Sequence, residues 1–168
     1  MRQKPPAMAK QAARLLSWLD RIERDLAGFA YLVCVGLILA DVASRELFGV
    51  AIWGSQKIAT YAAVVAGIFG LSLAVGTNAH FRIAVADHIL PFAWVARASH
   101  ILSALLFVVL AVSSCVFVYQ AWSFQDRAPV LNVPLWPILT CFPIAFFTAT
   151  LRHAIFAIEP SLRPGAST

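Results

Sequence analysis

The chain has 168 residues, 61% of them from the AVILMFWYC set and only 12% charged. A soluble globular chain carries about 45–50% apolar and about 25% charged residues. The excess must therefore face lipid or a partner, which excludes a soluble domain and makes this an integral membrane protein. Thirteen basic residues against eight acidic ones leave a net charge of +5. They lie between apolar runs and form no stripe or aromatic-interleaved patch, so no nucleic acid partner is expected.

The first element is amphipathic. In "AKQAARLLSWLDRIERDLAGF", Leu15, Trp18, Leu19, Ile22 and Leu26 keep helical spacing, while Lys10, Arg14, Ser17, Arg21 and Arg24 occupy the other side. This pattern predicts a helix over about residues 10–25, suited to the inner membrane surface. Four apolar runs follow, at about 26–48, 58–79, 101–125 and 134–156. Each has the roughly 20 residues a spanning helix needs, and lipid cannot satisfy open backbone groups, so each must be helical. The expected fold is all-α, a single membrane domain of four transmembrane helices. The first run begins too late, is too long for a signal peptide and lacks a small-residue cleavage site, so it is expected to stay.

Orientation follows from the basic residues. Arg2, Lys4, Lys10, Arg14, Arg21, Arg24, Arg82, Arg97, Arg152 and Arg163 fall on one side of the spans, against Arg45, Lys57 and Arg127 on the other. Positive-inside reasoning places both termini in the cytoplasm. The connection "LAVGTNAHFRIAVADHILP" then puts His80 and Arg82 at the inner headgroups. Its alternating apolar residues are expected to lie along the interface or against another protein.

Few side chains in the spans suggest chemistry. Asp41 lies near the outer boundary with Arg45 one turn later, in the favourable order for an ion pair. The pair reads either as an interfacial ion pair or as a contact to a partner subunit or lipid phosphate. A proton-coupling carboxylate would sit nearer mid-membrane. His80, His88, His100 and His153 all fall near cytoplasmic helix ends or in the connector, whereas axial haem ligands should face each other at matching depths. Cys34, Cys115 and Cys141 lie in apolar runs without C-x-x-C spacing and read as buried small hydrophobes. No metal or cofactor site, and no hydrolase or ATPase motif, is found. In "VPLWPILTCFPIAFF", Pro134 suits a helix start, Trp136 the headgroup level, and Pro143 a kink that frees a carbonyl. Ala63, Gly67 and Gly70 keep i, i+4, i+7 spacing, a smooth face for helix packing inside the subunit or against a partner.

Three segments and one feature of layout together resemble the small membrane subunit of tripartite ATP-independent periplasmic (TRAP) transporters, the DctQ-like family. They are "DVASRELFGVAIWGSQKIATY", "GLSLAVGTNAHFRIAVADHILP", "LNVPLWPILTCFPIAFF" and the four-span layout around them, over roughly residues 20–156. The family's Arg closing the first span is matched by Arg45, its Trp before the second by Trp53. Its His-x-Arg pair is matched by His80 and Arg82, and its "v-P-x-W" turn by Val133, Pro134 and Trp136. The one or two acids that the family usually has just after this Trp give way to "GSQK", and its Asp two residues after the Arg of the His-x-Arg pair gives way to Ala84, so any partner contact they carry is missing here or made by others such as Gln56 and Asp87.

The resemblance implies a non-enzymatic subunit of the bacterial inner membrane. Its partners would be a large TRAP permease subunit, a periplasmic substrate-binding protein and membrane lipid. It would scaffold the permease for ion-coupled uptake of an organic acid. Asp41, Arg45, Trp53, Gly67, His80, Arg82 and Trp136 are the expected partner or lipid contacts. The alternative is a four-helix haem-binding anchor of a redox complex.

Overall fold

A computed structural model describes residues 7–76 and 93–158. The expectations for His80, Arg82 and the rest of that connection lie outside the described residues. Among the described residues five helices follow in order: α1 (Ala7–Phe48), α2 (Ser55–Gly76), α3 (Ala93–Ser123), α4 (Trp136–Leu139) and α5 (Cys141–Ile158). There is no strand among the described residues, only one isolated bridge between Arg127 and Pro134. Four helical segments among these residues, with α4 and α5 counted as one, are long and apolar enough to cross a membrane.

The boundaries differ from the sequence expectation in informative ways. The amphipathic segment expected at 10–25 is not a separate element, because α1 runs unbroken from Ala7 to Phe48. No proline interrupts it, so nothing stops the helix between its amphipathic and its apolar part. At about 1.5 Å per residue it is about 63 Å long, twice a hydrocarbon core of about 30 Å. It ends at Gly49, whose positive φ and N–H to the Arg45 carbonyl (3.0 Å) form a left-handed cap. Further along, α2 begins at Ser55 and α3 at Ala93, both earlier than the apolar runs suggested. The fourth span is two pieces, α4 and α5, parted at Thr140. Pro143 has no N–H to give the Leu139 carbonyl four residues back, and the ladder breaks there.

Packing order differs from chain order. The helices form a row, α1 against α2, α2 against α5 and α5 against α3. This places two hairpin-like pairs side by side, joined chiefly where α2 meets α5. Ile68 and Phe69 of α2 pack there against Cys141 and Ala145 of α5, and Val75, Phe107 and Ala149 form a second cluster. The fourth span is therefore the most enclosed, with 39% of its most apolar window buried against 6% for α3. Of the three cysteines only Cys141 is buried, while Cys34 is half-buried and Cys115 is exposed on α3. The expectation of three buried thiols fails for Cys115 because edge helix α3 has a single packed side.

Candidate functional site

Polar side chains gather at the two ends of the helices. At the turn end, Asp41 pairs with Arg45 one helical turn on, at 2.8 Å. Its other oxygen accepts the Ile52 N–H at 2.9 Å. Ser55 donates to the Ile52 carbonyl, and Ser44 reaches forward to the Val50 carbonyl. One carboxylate thus holds the whole α1–α2 turn closed and orients Arg45, whose side chain stays 48% exposed. The α3–α4 connection meets this turn. A Cβ on Gly54, where φ is +75°, would come 2.7 Å from Leu131 Cδ2, so the two connections interlock where glycine leaves room.

The opposite end is built around Arg152, which no sequence argument had singled out. It is fully buried in α5. One guanidinium nitrogen, Nη2, donates to Asp20 Oδ1 at 2.7 Å and to Glu23 Oε2 at 2.8 Å, both on α1. The other, Nη1, donates to the carbonyl and the hydroxyl of Ser72 on α2. Ser72 in turn donates to Glu23 Oε1 and lies 3.0 Å from Thr148 Oγ1. An isolated buried ion costs several kcal/mol, so these groups stand only as a unit, and the unit ties three helices together. Beside it, His100 of α3 and His153 of α5 approach through their Nδ1 atoms at 3.2 Å. Phe107 stacks on the His153 ring.

The two ends are set apart by the helices themselves. Glu23 precedes Asp41 by 18 residues and Ser72 follows Ser55 by 17, spacings of about 27 and 26 Å along a helix. This is close to the thickness of a hydrocarbon core. The polar groups bracket an apolar slab instead of crossing it.

The residues expected to make contacts are therefore scattered. Asp41 and Arg45 are brought together, and Trp53 sits beside them in the turn, 73% exposed. Trp136 starts α4 on the turn-end side, partly exposed. Gly67 faces outward from α2, and a Cβ there would meet nothing within 4 Å. A signal for the missed network did exist. A cation inside an apolar span needs an acid, and Asp20, Glu23 and Asp25 are the acids of the same end on α1.

A model of the family described as tripartite ATP-independent periplasmic transporters, DctQ component, matches residues 34–162. The chain belongs to this family. Comparison with curated proteins and with solved structures returns no match. The DctQ component is part of a transporter, not an enzyme, and organic acid uptake is the family's general role. Arg152 lies within the matched segment of this DctQ chain, whereas Asp20 and Glu23 lie ahead of it. Membership gives the haem-anchor alternative no support.

Proposed function

We propose that this DctQ chain is the scaffold of its transporter, holding the large permease subunit in the bacterial inner membrane for ion-coupled uptake of an organic acid. The observation that carries this reading is where the polar groups go. Asp41 closes a turn, and Arg152, Glu23 and Ser72 close a helix junction. Both sets bind the subunit to itself at its two ends, which suits a part that stays rigid while another moves. Both termini are cytoplasmic in this reading, and the turn end, with Trp53 at its tip, faces the periplasmic binding protein. Asp41, Arg45, Trp53, Gly67 and Trp136, with His80 and Arg82, are the residues we assign to partner or lipid contacts.

Vesicles test it. Uptake of the organic acid is expected only when this chain, the large subunit and the binding protein are all present. Accumulation by this chain alone would refute the scaffold role, as would full transport by the other two components without it.

A further inference from the structure

His100 and His153 join the edge helix α3 to α5 at the Arg152 end, with Nδ1 facing Nδ1 at 3.2 Å. Their surroundings are apolar. Phe107 stacks on the His153 ring, Phe156 meets His100 edge-on, and Val75 of α2 clusters with Phe107 and Ala149 alongside. His153 is 3% exposed and its Nε2 has no hydrogen-bond partner, while His100, at 9%, is the outer member. Among the described residues no third His, Cys, Asp or Glu joins the two to make a metal site. Two imidazole nitrogens this close share one proton, one ring donating and the other accepting with a bare Nδ1. A buried N–H without an acceptor is the rarer defect, so the unpartnered Nε2 of His153 is the bare nitrogen and His153 donates from Nδ1.

We propose that this pair is a proton-operated latch: with one shared proton it holds the end of α3 on α5, and a second proton releases it. The second proton has two places to go. On His100 Nδ1 it would face the N–H of His153 and end the bond; on His153 Nε2 it would stand where no acceptor waits. No acid offsets either cation. On α5 the neighbouring charge is Arg152 itself. From α1 come Asp20 and Glu23, both bonded to Arg152, while its Arg21, Arg24 and Asp25 are exposed. Beyond Tyr61, α2 has no ionisable residue; α3 has none from Ile101 to Ser114, and Arg97 precedes His100 by three residues. The ring face of Phe107 is a weak substitute for the water a cation would lose. His100 lies in the first turns of α3, so release frees the end of that helix and not its whole length. The acidity sensed is that of the cytoplasm, a point that rests on the orientation proposed above.

The experiment uses the full chain purified in detergent. In a background lacking the native cysteines, spin labels on Ser99→Cys and Ile158→Cys, both exposed positions, report the separation of the two helix ends. At pH 7.5 a single short distance is expected. Below about pH 6.5 the ratio of long to short distances should rise about tenfold or more per pH unit, because each imidazole freed to water takes up one proton. His100→Phe combined with His153→Phe has no pair to protonate and should keep the short distance down to pH 5. No response in the otherwise wild-type chain, or an undiminished response in the double variant, would overturn the latch. Should the double variant fail to fold, the ¹⁵N spectrum of the histidine-labelled wild type at pH 7.5 decides. His153 protonated on Nδ1 and His100 on Nε2, coupled across the bond, is the expected result. Both rings protonated on Nε2, or a shift of both on adding zinc, would overturn it. A detergent sample has no sides, so its outcome bears on the latch alone, and thiol labelling of the two ends in intact cells bears on the orientation.

Discussion

The side chain of Arg152 is 1% exposed and that of Glu23 3%, so each carries the charge that makes the other's burial tolerable, with Ser72 bonded to both. Removing one member of such a pair leaves an uncompensated buried charge, at a cost of about 3–5 kcal/mol, whereas removing the charges together is often neutral. Arg152→Met is therefore expected to lower the thermal stability of the detergent-purified subunit strongly. Combining it with Glu23→Leu should restore most of the loss. Arg152→Lys should fall between the two, because an ammonium keeps the charge but lacks the planar fork that reaches α1 and α2 at once. A double variant no more stable than Arg152→Met would show that the pair is not the source of the effect. Asp20 needs no substitution in this test, since its side chain is 39% exposed and water can take over from the guanidinium.

At the level of elements, α1 has two jobs joined by one uninterrupted helix. Its second half spans the slab, and its first half carries Asp20 and Glu23 to Arg152 while leaving Leu15, Trp18 and Ile22 exposed. The contacts that tie this half to Arg152 begin at Asp20, inside the helix. Deleting residues 2–16 is expected to leave the purified subunit folded, with an unfolding temperature near that of the full chain. Deleting residues 2–25 removes both acids and should destabilise it as Arg152→Met does. Equal loss from the two deletions would mean that residues ahead of the acids, not the acids, hold α1 in place. The break between α4 and α5 is a different kind of device. It puts Trp136 on a short turn of its own, set off from α5 at Thr140.

Taken as a whole, the molecule is two helix pairs fastened at both ends. Leu131 against Gly54 joins the pairs at the turn end, and Arg152 with Ser72, Glu23 and Asp20 joins them at the other. Between these fastenings the contact is apolar, through Ile68, Phe69, Cys141 and Ala145. The orientation in the membrane is testable at exposed positions of the turn end. In a background lacking the native cysteines, Trp53→Cys and Asn132→Cys are expected to react with a membrane-impermeant thiol reagent added to intact cells from the periplasmic side. Gln11→Cys should react only after the cells are opened. The reverse pattern would refute the cytoplasmic placement of the termini.

Sequence alone determined that the chain is a four-helix membrane protein, because 61% apolar residues in runs of about 20 leave no other way to satisfy the backbone. It also determined the pairing of Asp41 with Arg45, since residues four apart on a helix are neighbours whatever the rest of the fold does. The order of segments from Arg45 to Trp136 carried the family, which the match over residues 34–162 shows. Tertiary structure decided what depends on distance through space. Arg152 and Glu23 are 129 residues apart, and no local periodicity links them; only the row α1–α2–α5 brings them together. The same holds for Gly67. Its spacing marked a packing face, but whether that face turned inward or outward depended on which side of α2 took α1 and α5.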